Sequence, residues 1–314
     1  METVGNPILW AAFIGFVLVM LALDLGVFHR KAHALSLREA GAWSAVWVAL
    51  SAVFALGVGA WFGEEHALEF VTGYLIEKAL AVDNIFVFVI LFSAFGVRAE
   101  QQHRVLAWGV LGALAMRAGF IFLGGAFLGH FHWAIYVFGG VLALTGVKLL
   151  VQRNAEDHPE NGFAVRMLRK VLPLDPAPGA TGFFTVVNGR RMVTTLFLAL
   201  VSIEITDLIF AVDSIPAIFA VTDDPFIVFT SNIFAILGLR SMYFLLAGLI
   251  GKVRYLKVGL AFVLIFVGAK MLMKDVYHLP IGVALGGIVG ILGASILASW
   301  WAVRREVAQP KPAS

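Results

Sequence analysis

Two stretches of the sequence combine carboxylates with apolar residues in the same order and spacing. Glu77 precedes Ala81-Val82-Asp83-Asn84-Ile85, and Asp207 precedes Ala211-Val212-Asp213-Ser214-Ile215. Both stretches lie in segments apolar enough to cross a membrane, where a charged side chain is costly and usually functional. The repetition predicts two related halves that meet at a buried, charged site.

The similarity between the two halves continues beyond these motifs. Leu114-Ala115-Met116-Arg117 matches Leu237-Gly238-Leu239-Arg240, and Gly146-Val147-Lys148 matches Gly268-Ala269-Lys270. The matched arginine and lysine are 31 residues apart in the first copy and 30 in the second. Three matching pairs in the same order indicate an internal duplication.

Carboxylate, amide and hydroxyl side chains are concentrated in the two motifs. The candidate metal-binding residues are Glu77, Asp83, Asn84, Glu204, Asp207, Asp213 and Ser214. Residues seven apart share a helix face, so Glu77 should lie near Asn84, and Asp207 near Ser214. Asp83 and Asp213 fall about 120° away on a regular helix. Either these two carboxylates face another neighbour or the helices are unwound there, which Gly73 and Pro216 would permit.

Oxygen ligands suit hard cations such as Mg²⁺, Ca²⁺ and Mn²⁺. The chain contains no Cys, which excludes thiolate sites for zinc, copper or iron–sulfur clusters and also disulfide chemistry. All eight His residues lie in loops or at the ends of apolar segments, which disfavours an imidazole site in the membrane. Carboxylates in this setting also relay protons, so cation binding and proton transfer are both consistent with the motifs.

Other charged residues in the apolar segments are candidates for charge pairing or gating. They are Asp24, Lys78, Arg117, Arg240, Lys148 and Lys270. One Asp, Lys or Arg at the centre of a span costs roughly 2.5–3.5 kcal/mol on insertion scales, so these charges should be paired. Lys148 and Lys270 lie near segment ends and can extend toward the interface. For Arg117 and Arg240, ion pairing with motif carboxylates and a gating role both stay open, and Asp24 is expected to be a pairing partner.

Composition places the elements that carry these residues in a membrane. Hydrophobic residues make up 61% of the chain, charged residues 14%, and the mean hydropathy is +0.92. This predicts an all-α polytopic membrane protein. Nine apolar segments are predicted to span the bilayer: 8–28, 40–62, 68–95, 105–129, 131–151, 193–221, 226–249, 256–273 and 281–302. The first has no basic leader and no small-residue cleavage site, so it is expected to be a span and not a signal peptide.

The distribution of basic residues predicts the orientation. Of 23 Lys and Arg residues, 17 lie in loops or ends on one side of these segments, one (Lys274) on the other, and five within them. By the positive-inside rule, the N-terminus is outside and the C-terminus is cytoplasmic. The net charge of +3 then belongs to a face beside anionic lipid and gives no indication of nucleic-acid binding. The bilayer is thus an expected partner, and no oligomeric state is indicated.

The repeat unit contains three segments, so the second copy should enter the membrane from the opposite side. Such inverted repeats are common in secondary transporters, whose substrate site lies at the repeat interface. The predicted organisation is two leading helices (1–66), the first repeat (67–151), a cytoplasmic linker (152–192), the second repeat (193–278), and a ninth helix with a tail (279–314). Prolines and glycines indicate the linker, and its apolar residues suggest a short helix at 163–172.

The motifs resemble those of the TerC family. The resemblance rests on Ile203–Thr222, on Tyr74–Lys78 continuing into Ala81–Asn84, and on Leu237–Phe244. It covers nearly the whole chain, is weakest in the linker, and is closest to the Alx-like branch. It implies a bacterial inner-membrane protein linked to manganese efflux and to tellurite resistance. It also implies that Glu77, Asp83, Asp207 and Asp213 serve manganese, together with Glu204.

Two functions are consistent with these observations. The first is an exporter that carries Mn²⁺, as substrate, out of the cytoplasm. The second is a membrane partner that loads or senses metal, in tellurite or redox stress, without moving ions. The duplicated buried charges favour the exporter. The chain has no nucleophile–base pair, phosphate loop or zinc-protease motif, so we expect no enzymatic activity and no resident cofactor.

Overall fold

The computed structural model describes residues 3–28, 36–131, 133–151, 182–187, 190–248, 255–277 and 279–308. Within these ranges, ten helices and one hairpin follow one another. They are α1 (Pro7–Phe28), α2 (Leu37–Phe62), α3 (Glu64–Ala94), α4 (Ala99–His130), α5 (Ala134–Val151), β1 (Phe184–Val187), β2 (Arg190–Val193), α6 (Thr195–Phe219), α7 (Pro225–Leu237), α8 (Leu239–Ala247), α9 (Leu256–Leu272) and α10 (Ile281–Ala308).

The mostly helical chain is a polytopic membrane protein, as composition predicted. Each of the nine predicted segments coincides with one helix, or in the seventh case with the pair α7–α8. In the described part of the chain, six helices are long and apolar enough to cross a membrane: α1, α2, α4, α5, α6 and α10. The α7–α8 pair, bent by 43°, would make a seventh span. Helix α3 carries several charges and α9 has only 17 residues, so the count of nine spans stays a prediction.

The linker was predicted as 152–192, and its end contains a hairpin that the sequence analysis missed. Phe184 pairs with Val193 and Val187 with Arg190 in antiparallel register. Thr194 continues the contact, because its backbone N–H donates to the Phe183 carbonyl before α6 begins. The helix predicted at 163–172 lies outside the described residues.

Aromatic side chains fill the space between α1, α2, α3 and α7. Phe13 lies 5.9 Å from Phe234 between ring centroids, and Phe54 lies 4.8 Å from the same ring. Phe70 of α3 meets Phe234 edge to face at 5.8 Å. Pairs at these distances contribute about 0.5–1.5 kcal/mol beyond the area they bury. They hold α3 and α7 together beside the polar site.

Helices α5 and α9 pack closely and run antiparallel, because small residues face each other at both ends of the contact. A Cβ on Gly146 would lie 2.6 Å from the Ala261 carbonyl oxygen, and a Cβ on Gly268 would lie 2.7 Å from the Gly139 carbonyl oxygen. Small residues let membrane helices approach until their backbones touch. Gly146 and Gly268 are the residues matched between the two sequence copies.

The N-terminal segment is attached to the start of α7. Asp224 caps this helix by accepting from the Phe226 backbone N–H at 2.7 Å. The same carboxylate accepts from the Thr3 hydroxyl and from the Val4 backbone N–H, both at 2.7 Å. This fixes α7, and therefore the polar residues in its middle, relative to α1.

Candidate functional site

The central polar group lies where α3 and α6 cross. Glu77 on α3 is 0% exposed and Asp207 on α6 is 3% exposed. These two carboxylates occupy the same position in the two sequence motifs. The structure therefore brings the two motifs together at one buried place.

Arg117 of α4 lies between the two carboxylates. Its Nη2 donates to Asp207 Oδ1 at 2.8 Å and its Nε to Asp207 Oδ2 at 3.1 Å, which makes a bidentate pair. Its Nη1 donates to Glu77 Oε1 and, at 3.3 Å, to the Ser214 hydroxyl. The predicted pairing of Arg117 with motif carboxylates is observed. With both carboxylates ionised, two negative charges against one guanidinium leave one net negative charge.

Neutral polar side chains complete the group. The Asn84 amide donates to Asp207 Oδ1 at 3.5 Å, so each motif contributes a neutral residue near the other motif's carboxylate. Asn232 of α7 donates to Glu77 Oε2 at 3.1 Å and is fully buried. Asn232 was not among the predicted site residues, because it is uncharged and lies outside both motifs. The polar run Thr230-Ser231-Asn232 inside an apolar segment was the signal that could have identified it.

Glu204 lies one helical turn before Asp207 and faces α4. Its carboxylate packs directly against Gly112, and a Cβ on Gly112 would overlap this carboxylate. Its Oε2 is buried and has no hydrogen-bond partner among the described residues. Glu204 is therefore next to the central group but outside the hydrogen bonds around Arg117.

Asp213, the second aspartate of the motif on α6, lies apart from this group and contacts α5. The Thr145 hydroxyl of α5 donates to Asp213 Oδ1 at 3.4 Å, and Lys148 of the same helix is close enough to act on this carboxylate. Of the two alternatives for Asp213, a different neighbour is thus the one observed, and α6 stays helical through Pro216. Helix α3 is also continuous, and the Asp83 side chain lies outside the described atoms.

Arg240, the residue matched to Arg117, points elsewhere. Its Nη2 lies 3.2 Å from Asp24 Oδ2 and donates to the Asp24 backbone carbonyl at 2.6 Å. Among the described side chains, Arg240 has Asp24 as an acidic partner, so Asp24 is a pairing partner as expected. The reason is the position of α8, which places Arg240 against α1. Pairing of Arg240 with a motif carboxylate stays a prediction, because the Asp83 side chain lies outside the described atoms.

Lys78 is next to Glu77 on α3, but its side chain contacts the end of α7. Its ammonium donates to the Ala235 carbonyl at 2.9 Å, next to the bend at Gly238. A cation is favourable at a helix C-terminus, where carbonyls lack helical partners. The chain break found here is thus between α7 and α8 and not in the two motifs.

A cavity of about 390 Å³ opens at one end of the bundle. Its charged lining residues are Glu65, Glu69, Asp223, Lys270 and Lys274. Glu69, Gly73 and Glu77 share one face of α3 at four-residue spacing. A Cβ on Gly73 would lie 2.8 Å from Ser231 Oγ, so α3 and α7 touch between the cavity and Glu77.

Within the part of the chain that the structure describes, no three His, Cys, Asp or Glu side chains converge as metal ligands. The arrangement is instead a pair of carboxylates bridged by Arg117 and surrounded by two amides and a hydroxyl. Such oxygen atoms suit a hard cation. A cation at the centre would compete with the guanidinium for both carboxylates.

The chain matches the model of the integral membrane protein TerC family over residues 62–307. The Myxococcus xanthus protein "Uncharacterized membrane protein STKORF319" is 61% identical over 302 residues, 95% of each chain. The Escherichia coli (strain K12) protein "Putative membrane-bound redox modulator Alx" is 48% identical over 310 residues, 96% of this chain and 97% of that protein. A Rickettsia bellii (strain RML369-C) membrane protein is 38% identical over 290 residues, 92% of this chain and 96% of that protein. No solved structure matches the chain.

Proposed function

The chain belongs to the TerC family of integral membrane proteins, and from this premise we propose that it is a secondary-type transporter that exports divalent cations, Mn²⁺ above all, from the cytoplasm. The observation that carries the proposal is the meeting of Glu77 and Asp207, one from each copy of the repeat, around Arg117. A buried carboxylate is costly in a membrane segment, so its presence at the same position in both copies calls for a reason. A substrate site between two related halves gives that reason.

The proposal includes the arrangement of the chain in the membrane. Nine spans, with two inverted repeats of three, place the N-terminus outside and the C-terminus in the cytoplasm of a bacterial inner membrane. The antiparallel contact of α5 with α9 supports this, because these are the third helices of the two copies. The meeting of α3 with α6, the first helices of the two copies, supports it as well.

In this proposal Arg117 is the counter-charge of the site when no cation is bound. Mn²⁺ takes oxygen ligands, and Glu77, Asp207, Asn84 and Ser214 offer them within one group. An arriving cation displaces the guanidinium from the carboxylates. Asp83, Glu204 and Asp213 are further ligands or relay positions along the path. The exchange of one positive partner for another keeps the buried charge small in both states.

A second candidate function has its own observation. The E. coli relative is named a membrane-bound redox modulator, which fits a partner that loads or senses metal under redox or tellurite stress. The chain itself contains no Cys for redox chemistry, so this function would act through bound metal. It requires metal binding at the same site but no flux across the bilayer.

Flux measurement separates the two functions. Purified protein in liposomes should carry radioactive Mn²⁺ down its gradient, and Glu77→Gln and Asp207→Asn should each abolish the flux because the amide removes the charge that holds the ion. Asp223→Asn is the matched control, since this carboxylate is exposed and pairs with Lys274 at the surface. Binding of Mn²⁺ without flux would favour the loading or sensing function. Equal flux in all three variants would contradict a site at Glu77 and Asp207.

A further inference from the structure

The side chain of Asn232 is only half satisfied. It is 0% exposed, and its amide nitrogen donates to Glu77 Oε2 at 3.1 Å. Its carbonyl oxygen, Oδ1, is buried and has no hydrogen-bond partner among the described residues. A buried polar atom left without a partner loses its hydration without compensation, so each such atom calls for an explanation.

The orientation of this amide follows from its neighbour. An ionised carboxylate only accepts hydrogen bonds, so Glu77 must face the NH₂ group of Asn232. A flipped amide would set two oxygen atoms against each other. The carbonyl oxygen is therefore turned away from Glu77 by the same contact that holds the side chain.

The two residues before Asn232 behave differently. The Thr230 hydroxyl donates to the Phe226 carbonyl at 2.8 Å, and the Ser231 hydroxyl donates to the Val228 carbonyl at 3.1 Å. Both side chains thus bond to their own helix, as hydroxyls in membrane helices commonly do. Asn232 is the one of the three whose side chain reaches a charged residue of another helix.

We propose that Asn232 Oδ1 is a ligand of the transported cation while the amide nitrogen stays bonded to Glu77; this inference rests on the proposed function. An amide carbonyl is a hard, neutral oxygen of the kind that Ca²⁺ and Mn²⁺ accept. The cation supplies the positive partner that the oxygen lacks. Because the ligand is uncharged, it adds selectivity for oxygen-preferring ions without adding the attraction of a third carboxylate, and release of the ion stays feasible.

Binding to the purified full-length protein tests this apart from transport. We expect Asn232→Leu, of similar size, to weaken Mn²⁺ binding at least about tenfold, as measured by electron paramagnetic resonance of free Mn²⁺. Asn232→Asp keeps an oxygen at the same place and should bind at least as tightly as the original chain. Ser231→Ala is the control and should leave the Kd unchanged. If Asn232→Asp binds as poorly as Asn232→Leu, the residue serves only as a donor to Glu77 and the proposal is wrong.

The absence of Cys allows a direct spectroscopic test. Asn232→Cys introduces one thiol into the site, and added Cd²⁺ should then give a thiolate–cadmium absorption band in the near ultraviolet that Mn²⁺ suppresses by competition. Ser231→Cys is the matched control and should give no band. A band from both thiols or from neither, in protein whose unchanged parent binds Mn²⁺, would overturn the assignment. If the parent protein itself binds no Mn²⁺, the proposed function fails and not this ligand alone.

Discussion

At the scale of single residues, the two matched arginines have different environments. Arg117 is bound by Glu77 and Asp207, both deeply buried, whereas Arg240 is bound by Asp24 of α1. Removing one partner of a buried pair leaves an uncompensated charge, which is much more costly than removing both partners. Each arginine can therefore be tested with a second substitution at its own carboxylate partner, and the other arginine provides the control.

Arg117→Gln should destabilise the protein by about 3–5 kcal/mol, because two buried carboxylates lose their counter-charge. Adding Asp207→Asn should restore part of the loss, since the remaining negative charge at the site falls by one. The measurement is the thermal unfolding midpoint in detergent, together with the yield of folded protein.

Arg240→Gln should respond to a different second change. Asp24→Asn should restore stability to this variant, and Asp207→Asn should not, because Asp207 does not contact Arg240. Recovery of Arg240→Gln by Asp207→Asn would contradict the pairing observed in the structure. Double-mutant cycles of this kind measure the interaction between two residues directly.

At the scale of elements, two antiparallel contacts form the frame of the site. Helix α3 meets α6 through polar side chains, and α5 meets α9 through glycines. The first contact holds the charged group and the second holds the helices behind it. Because Asp213 interacts with Thr145 of α5, the glycine contact also sets where this second aspartate lies.

Gly268→Ala should destabilise the α5–α9 contact by about 1–3 kcal/mol, as overpacking does in tight interfaces. Its Cβ would lie 2.7 Å from the Gly139 carbonyl oxygen and 2.7 Å from the Ala143 backbone nitrogen. Gly140→Ala is the control on α5, since nothing lies within 4 Å of a Cβ there. Unfolding temperatures of the two variants give the comparison, and equal values would show that the helices separate without cost.

At the scale of the whole molecule, the proposed topology depends on whether helix α3 crosses the membrane. Helix α3 has 31 residues, which is long enough to cross a bilayer, but its charges, Glu77 and Lys78 among them, set it apart from the six most apolar helices. Two adjacent charges in its middle are satisfied by other helices: Glu77 by Arg117 and Lys78 by the Ala235 carbonyl. A helix whose charges are paired inside the bundle can lie across a bilayer at little cost.

Labelling of single cysteines should therefore place the two ends of α3 on opposite sides. Glu65→Cys should react with a membrane-impermeant maleimide in intact cells, and Glu100→Cys, beside Arg98 and Arg104, should react only after the membrane is opened. The chain has no other Cys, so each signal has one source. Reaction of both positions from outside would mean that α3 does not span, and the inverted repeat would then be wrong.

The sequence by itself determined the family, the positions of the helical segments and the two polar motifs. Each of these follows from local pattern, because hydropathy over about 20 residues and a repeated motif are readable without knowing any contact. The spacing of Glu77 and Asn84 also predicted a shared helix face.

Only the tertiary structure decided which face meets which neighbour. The rotation and crossing of packed helices placed Arg117 at the centre and Arg240 against Asp24, although the two arginines are equivalent in the repeat. They also turned Asp213 toward α5 and brought Asn232, 155 residues away along the chain, to Glu77. Such contacts depend on how side chains from distant segments fit together, and a periodic sequence carries no direct record of that fit.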